Sequence, residues 1–327
     1  MSLLNSWFTP TTQALGLLAQ NKLLKRYVRS PFEVKSSAAL NYIVVKGKAK
    51  TDDKIQPWNR KERVLVLMHG FGLGLGFFYE NYDTLGTHFD KIIAVDWPGM
   101  GCSSRTATKF TPTANICSDA EREKEIAQAV TDELIDSLEK LRVEENIPHF
   151  TLAGHSLGGY LAGKYAVKYP DVVDNLVLIS PVGIPEPPPS ETHLLPKDMS
   201  WQIRMIEQLW KWNFTPQGIV RIMGTRGQKM VKDVVSRRFG HRWEGEELDL
   251  ISEYMYHITA APGSGEYTLS ALLEPIFQKV ADPEVAEEEV AKNTAAVSGA
   301  TVDTSGAVAA GATKPATRRT NEKSARQ

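Results

Sequence analysis

The chain has 327 residues, of which 42% are apolar and 24% are charged, and its formal net charge is -1. This length allows one large domain with an insertion or two small domains, and the composition is typical of a globular protein. The balanced charge gives no indication of a nucleic-acid partner, and no apolar run is long enough to span a membrane. Cys102 and Cys117 suggest neither a disulfide framework nor a metal site, so a reducing, intracellular compartment is the default, and we predict no cofactor and no metal ion.

The first 32 residues contain no acidic side chain and carry four basic ones, together with leucines, a tryptophan and a phenylalanine. A basic, acid-free amphipathic segment is typical of a mitochondrial presequence or of a helix at a membrane surface. A first helix packed on the domain explains the same pattern, and both interpretations stay open here. We predict that residues 1–60 hold this segment and the first strands.

Residues 61–183 alternate short apolar runs with helical patterns. The apolar runs 63–68, 91–95, 150–153 and 175–179 read as strands buried on both faces. A capping box at 118–121 opens a long helix, and a second helix follows residue 158. This alternation predicts an α/β protein with a mostly parallel sheet and helices on both faces.

A proline-rich linker begins at residue 184, and we predict a helical lid over residues 184–262. Residues 211–242 carry eight basic side chains and one acidic side chain, about +7 in all. Basic residues beside aromatic ones suit an anionic phospholipid surface, although a solvated helix face gives the same pattern. The lid residues predicted to meet an acyl chain or a phosphate are Trp201, Trp210, Trp212, Arg237 and Arg238.

The end of the chain has a different composition. No aromatic residue occurs from Gln278 onward, and Ala, Thr, Ser, Gly, Glu and Lys dominate. Such a segment cannot bury enough apolar surface to offset the entropy of ordering. We predict that residues 263–280 are a remnant of the core and that residues 281–327 are a disordered, low-complexity tail.

The run from Ala153 to Gly159 reads as strand, sharp turn and helix, with a serine at the turn. This is the nucleophile-elbow pattern G-x-S-x-G, which predicts Ser156 as a nucleophile. Gly154 and Gly158 are required because side chains would clash across so tight a turn.

The loop His69-Gly70-Phe71-Gly72 follows an earlier strand. In folds that carry a nucleophile elbow, the loop after an early strand supplies one oxyanion-hole N–H, and the residue after the nucleophile supplies the other. We therefore predict the backbone amides of Phe71 and Leu157 in that role, with His69 and Gly70 forming the loop. A glycine-rich turn without a chemical role is the alternative. We interpret the Asp96-to-Gly101 segment as a structural turn.

These motifs resemble one branch of the α/β-hydrolase superfamily, which contains the lipid-droplet lipase coactivator, the N-acyl-phospholipid lipase and the fungal mitochondrial cardiolipin deacylases. The resemblance rests on residues 69–72, 96–101 with 103–105, 154–160, and 253–257 with 263–266. It implies a phospholipid or related acyl ester as substrate. It also implies that this chain, which has Ser156, groups with the enzymes and not with the serine-free coactivator.

The resemblance also implies a triad acid and a histidine late in the chain, and neither is found. The last histidine is His257, before the expected strand, so two C-terminal strands are expected to be absent. We interpret the H-x4-D match from His193 to Asp198 as coincidental. Three explanations compete: a truncated or mis-spliced product, a non-catalytic lipid-binding protein, or a replacement base from His257, His241 or His193.

The sequence thus predicts a serine acyl-ester hydrolase of phospholipids, of the cardiolipin-deacylase, lysophospholipid-acylhydrolase or acyltransferase type. It is expected at a mitochondrial or other intracellular membrane, with lipid droplets as a further location, and associates peripherally with anionic lipid. The alternatives are a non-catalytic lipid-surface or lipase-regulating protein and a soluble small-molecule esterase. The headgroup, the acyl position and the oligomeric state stay open.

Overall fold

Six strands form one sheet in the computed structural model, which describes residues 11–37, 39–48, 62–105, 120–183, 215–268 and 272. All of these residues fall within one compact unit, Met1–Ile276. The strands are β1 (Phe32–Ser37), β2 (Leu40–Lys46), β3 (Val64–Met68), β4 (Lys91–Val95), β5 (Phe150–His155) and β6 (Val173–Ile179).

Seven α-helices are described. They are α1 (Gln13–Tyr27), α2 (Tyr79–Leu85), α3 (Ala120–Glu144), α4 (Leu157–Lys168), α5 (Pro216–Ile222), α6 (Gly227–Phe239) and α7 (Gly245–Ala260), with 3-10 turns at Leu75–Phe78, Pro170–Val172, Gly224–Arg226 and Gly265–Tyr267. Within the described ranges, none of these helices has both the length and the apolarity that crossing a bilayer requires.

The strand order is β1-β2-β4-β3-β5-β6. Strand β3 pairs in parallel with β4 on one side and with β5 on the other, and β6 continues the parallel set. Strand β2 is antiparallel to both β1 and β4. The mostly parallel sheet predicted from the sequence is therefore confirmed.

Successive side chains of each central strand point to opposite faces of the sheet, so each strand contributes to two hydrophobic cores. Leu65 of β3 packs on the face covered by α1, α6 and α7, whereas its neighbour Val66 packs on the face covered by α3 and α4. Both side chains are almost fully buried, as are their counterparts in β4. A strand buried on both faces has to be apolar throughout, which explains the continuous runs in the sequence.

The basic N-terminal segment forms α1, and α1 packs on α7. Leu23 and Leu24 of α1 are completely buried. Two ion pairs flank the contact, Lys22 with Glu253 and Arg26 with Glu246. The structure therefore gives this helix a packing role in the domain, and residues 1–10 of the predicted targeting segment lie outside the described residues.

Strand β6 is unlike the other parallel strands. Four consecutive apolar side chains of β6 are exposed by 38–44%: Leu176, Val177, Leu178 and Ile179. Among the described residues, β6 pairs only with β5. The last described strand is thus an edge strand whose side chains are only partly covered on both faces of the sheet.

Candidate active site

The candidate site lies where the order of the strands reverses. Strand β3 is followed along the chain by β4 on one side of it and then by β5 on the other. Such a reversal opens a crevice at the carboxyl ends of the strands, where ligands bind in open α/β sheets. Met68 of β3 is paired with Gly154 of β5, so the loops that follow these two residues are neighbours.

Ser156 stands in the turn between β5 and α4 with φ 55° and ψ -117°. Only glycine adopts such a conformation readily, and a strained residue of this kind costs on the order of 1–3 kcal/mol. Its main chain is held by hydrogen bonds, because Ser156 N–H donates to Ile179 O at 3.0 Å and Ser156 O accepts from Gly159 N–H at 2.9 Å. Tertiary contacts therefore impose the strain that the sequence pattern predicts.

The two elbow glycines are required by close backbone approach. A Cβ at Gly154 would lie 2.2 Å from Gly158 O, and a Cβ at Gly158 would lie 2.4 Å from Met68 O. No real Cβ tolerates such contacts, so a larger side chain at either position would push β3, β5 and α4 apart. The geometry agrees with the predicted elbow.

The predicted oxyanion loop lies directly against this turn. A Cβ at Gly70 would lie 3.0 Å from Ser156 Cβ, so a larger residue would have to displace the serine or the loop by a few tenths of an ångström. Among the described residues, neither Phe71 N–H nor Leu157 N–H donates to a main-chain carbonyl. Two free amide donors beside a serine hydroxyl are the arrangement that an oxyanion hole needs.

His69 is completely buried, and both of its ring nitrogens are engaged away from Ser156. Its Nε2 accepts from Trp97 N–H at 3.2 Å, so the proton resides on Nδ1, which donates to Gly70 O at 2.7 Å. Burial lowers the pKa of His69 below its ordinary value. His69 is thus a neutral residue that shapes the oxyanion loop.

Asp96 is the anchor of the loops around His69. It is completely buried and accepts hydrogen bonds from Leu75 N–H at 2.6 Å, from Cys102 N–H at 2.7 Å and from the Asn41 amide at 2.7 Å. Burial raises the pKa of its carboxyl group, and these donors oppose that rise. The structural turn interpreted from the sequence is therefore organised by a buried carboxylate.

Among the described residues, no hydrogen bond identifies a base for Ser156. Its hydroxyl has no hydrogen-bond partner among the described residues, although such contacts can tighten only when substrate binds. His257 is engaged elsewhere, because its Nδ1 lies 2.6 Å from Thr11 Oγ1. His241 is exposed at the end of α6, and His193 lies outside the described residues.

A cavity opens beside Phe71, and its lining combines apolar and charged groups. The lining residues that matter below are Phe71, Gly72, Met100, Arg105, Gln217 and Glu266. Sequence reasoning assigned no role to the last three, although Arg105 and Glu266 lie within the motifs that carry the family resemblance. They come from three distant segments, which no spacing rule connects.

The predicted lid residues are only partly described. Arg237 and Arg238 are exposed on α6, and Trp201, Trp210 and Trp212 lie outside the described residues. Helix α7, which falls within the predicted lid, contributes the completely buried Ile251 and Tyr254 to the core. The predicted domain boundaries remain predictions.

Much of the positive charge in this region is neutralised within the fold. Acidic partners are contacted by Arg221, Lys229, Lys232 and Arg242, which pair with Glu266, Asp233, Asp249 and Glu80. We find no acidic partner for Arg226, Arg237 or Arg238 among the described residues. The basic surface available to an anionic lipid is thus narrower than the count of residues suggests. Within the same ranges, no group of three or more His, Cys, Asp or Glu side chains is arranged to hold a metal ion.

Comparison with known proteins agrees with this geometry. Residues 63–218 match the model of the α/β-hydrolase fold family. A probable 1-acylglycerol-3-phosphate O-acyltransferase of Oryza sativa subsp. japonica is 36% identical over 234 residues, which are 68% of this chain and 53% of that protein. A (lyso)-N-acylphosphatidylethanolamine lipase of Homo sapiens is 33% identical over 260 residues, 78% of this chain and 65% of that protein.

A 1-acylglycerol-3-phosphate O-acyltransferase of Rattus norvegicus is also similar. It is 32% identical over 214 residues, which are 64% of this chain and 55% of that protein. The chain thus spans about half the length of the acyltransferases that it matches. The names of these relatives all refer to the chemistry of acylated lipids.

Proposed function

Because the chain contains an α/β-hydrolase domain over residues 63–218, we propose that it is a serine acyl-ester hydrolase or acyltransferase acting on phospholipids. Lysophospholipids and cardiolipin are the substrates that we propose, at a mitochondrial or other intracellular membrane. The lipid-related names of the relatives support the general class. The particular substrate and the location are our own extension.

The proposed reaction passes through an acyl-enzyme. Ser156 Oγ attacks the acyl carbonyl carbon, and the amides of Phe71 and Leu157 hold the resulting oxyanion. The ester C–O bond then breaks, and the departing hydroxyl group takes up the proton released by the serine. Water, or the hydroxyl of a lysophospholipid, attacks the acyl-enzyme and releases Ser156 with its proton restored.

One observation carries the proposal: a strained serine lies against a glycine loop, and the amides of Phe71 in that loop and of Leu157 in α4 donate to no main-chain carbonyl among the described residues. Ser156 is held at φ 55°, a conformation that is unfavourable for any residue with a side chain. Strained residues of this kind cluster at active sites, where they position a reacting group.

A fluorophosphonate probe tests the proposal directly. We expect covalent labelling of the purified chain and no labelling of the Ser156→Ala variant. A variant with Gly70→Ala, which crowds Ser156 Cβ, is expected to label at least about tenfold more slowly because the oxyanion loop is displaced. Absence of labelling in a folded wild-type sample would reject the enzymatic proposal.

A second candidate function is a non-catalytic lipid-surface or lipase-regulating protein. The observation that favours it is that no described imidazole or carboxylate forms a hydrogen bond with Ser156 Oγ, since a serine without a base is a weak nucleophile. This candidate predicts that vesicle or partner binding survives Ser156→Ala while no labelling occurs in either protein.

Peripheral association with anionic membranes is part of both candidates and separates them from a soluble esterase. We expect vesicles containing cardiolipin to retain the chain and vesicles of neutral phosphatidylcholine to release it. The double variant Arg237→Glu with Arg238→Glu should lose this retention, because it reverses two exposed charges on α6. Equal retention of wild type and variant would reject a role for these arginines.

A further inference from the structure

The cavity beside Phe71 joins the predicted oxyanion loop to a buried polar cluster. Arg105 ends the described segment that follows β4, residues 96–105. Gln217 lies in the first turn of α5, and Glu266 lies in the last 3-10 turn. The fold thus brings three polar side chains to one side of Phe71, where the rest of a bound ester would extend from its carbonyl group.

The positive charge of this cluster exceeds its negative charge. The Glu266 carboxylate is 5% exposed and is already engaged by Arg221, which binds both of its oxygens, and by Thr215 Oγ1 at 2.6 Å. Arg105 is the second guanidinium near Glu266 and has no direct carboxylate partner among the described residues. Glu266 therefore faces two guanidinium groups, and Asp96, a further acidic group near Arg105, acts on it more weakly.

Arg105 is held by neutral acceptors. It donates to Pro262 O at 3.0 Å, to Gly101 O at 3.1 Å and to Ile258 O at 3.0 Å. Burial lowers the pKa of Arg105, and Glu266 opposes that effect. Three of the five N–H donors of this guanidinium are used by the carbonyls, so its orientation is fixed while two donors stay available for an anion.

Gln217 gives a second, independent indication of a ligand. Its side chain is 8% exposed and lines the cavity, yet Oε1 has no hydrogen-bond partner among the described residues. A buried amide oxygen without a partner is costly, so a water molecule or a bound ligand is expected to complete it. An amide oxygen requires a donor, and a hydroxyl group is the donor that accompanies a phosphate on glycerol.

We propose that this cavity binds the phosphate-bearing glycerol headgroup of the substrate, with Arg105 on the phosphate and Gln217 on the adjacent hydroxyl. The inference rests on the proposed function, since it places the headgroup next to the oxyanion loop at Phe71. Arg221 and Glu266 act as positioning residues that hold the cavity wall.

Binding to the Ser156→Ala variant tests this subsite without any turnover. The probes are 1-hexanoyl-glycerol 3-phosphate and 1-hexanoyl-glycerol, which share an ester and differ by the phosphate, with affinities measured by titration calorimetry. We expect the phosphorylated probe to bind at least about tenfold more tightly, as a charge-assisted contact predicts. Equal affinities would overturn the proposal.

A substitution at Gln217 gives the sharper experiment. Gln217→Glu keeps the shape of the side chain and places a negative charge beside Arg105, so the ratio of the two affinities should fall at least about tenfold. Arg226→Gln is the matched control, because it removes an exposed cation outside the cavity lining and should leave the ratio unchanged. An unchanged ratio in Gln217→Glu, with the fold verified by near-ultraviolet circular dichroism, would overturn the proposal.

Competition separates a lipid headgroup from free phosphate. Glycerol 3-phosphate should displace the phosphorylated probe at lower concentration than inorganic phosphate does, because only the former offers a hydroxyl to Gln217. Equal displacement by the two would refute the hydroxyl contact. Fluorophosphonate labelling reports on Ser156 independently, so a chain that labels but does not discriminate the probes loses this subsite and keeps the proposed function.

Discussion

Two buried carboxylates lie close to the candidate site, and they are satisfied in different ways. Asp96 is completely buried and is bound by two main-chain N–H groups and one amide, all of them neutral. Glu266 is nearly as buried but is bound by the guanidinium of Arg221 and by a hydroxyl. A carboxylate that is bound only by neutral donors anchors loops. A carboxylate that is paired with a cation contributes to a local net charge, which a bound ligand can change.

Substitution of Asp96 should have the largest effect. Asp96→Asn replaces one acceptor oxygen with an NH₂ group that faces one or two existing donors, and it removes the negative charge that strengthens all three hydrogen bonds. At about 1–3 kcal/mol for each donor left unpaired, the free energy of unfolding should fall by about 4 kcal/mol. Urea unfolding of wild type and variant measures the change, and a loss below about 1 kcal/mol would contradict the anchoring role.

Glu266→Gln should cost less, about 2 kcal/mol, because Arg221 retains the carbonyl of Ala261 as an acceptor. Urea unfolding is again the measurement. Glu246→Gln serves as the control, since its pair with Arg26 is solvent-exposed and its loss should leave the midpoint unchanged. If Glu266→Gln proved as damaging as Asp96→Asn, the two carboxylates would be equivalent anchors and the contrast between them would fail.

A smaller effect is expected from relief of the backbone strain at the turn that carries Ser156. Ser156→Gly should raise the free energy of unfolding by about 1 kcal/mol, because glycine tolerates φ 55° while a side chain does not. Ser156→Ala retains the strain and is the matched control. Equal stability of the two variants would show that the turn is not strained.

The smallest effect concerns pH and the contact between α1 and α7. Burial lowers the pKa of His257 below its ordinary value of 6.5, so the unfolded chain binds the proton more readily. The stability contributed by neutral His257 is present above about pH 6.5 and is lost as the pH falls through the lower folded pKa. His257→Gln should therefore lose less stability than wild type between pH 7.5 and pH 5.5 in urea unfolding.

Part of the pH dependence should persist in that variant, because burial also lowers the pKa of His69. A Thr11→Val variant, which removes the partner of His257 Nδ1 but keeps the imidazole, should retain the full drop. If His257→Gln and wild type lost equal stability, the half-buried His257 would not be titrating in this range.

The parts of the molecule that could be predicted from the sequence are those determined by residues that are close together along the chain. A strand buried on both faces needs an unbroken apolar run, and the elbow at Ser156 needs glycines two residues away on each side, so both leave local patterns. The confirmed parallel sheet and the close approach of Gly70 to Ser156 follow from such patterns.

The cluster of Arg105, Gln217 and Glu266 leaves no such pattern, because three segments more than 40 residues apart have to fold before the side chains meet. The same reason explains why a count over residues 211–242 overstates the positive charge that stays unpaired: the acids that pair with Arg221, Lys232 and Arg242 lie in other segments. Charge counted along a chain ignores partners that only the fold supplies.

Strand β6 has a consequence for the behaviour of the protein in solution. Its exposed run from Leu176 to Ile179 is β-prone, uncharged and free of proline, which is the composition of segments that stack into intermolecular sheets. Colloidal stability should therefore be limited by this strip and not by the net charge. Val177→Lys, which places a cation among these side chains, should raise the protein concentration at which light scattering first detects association.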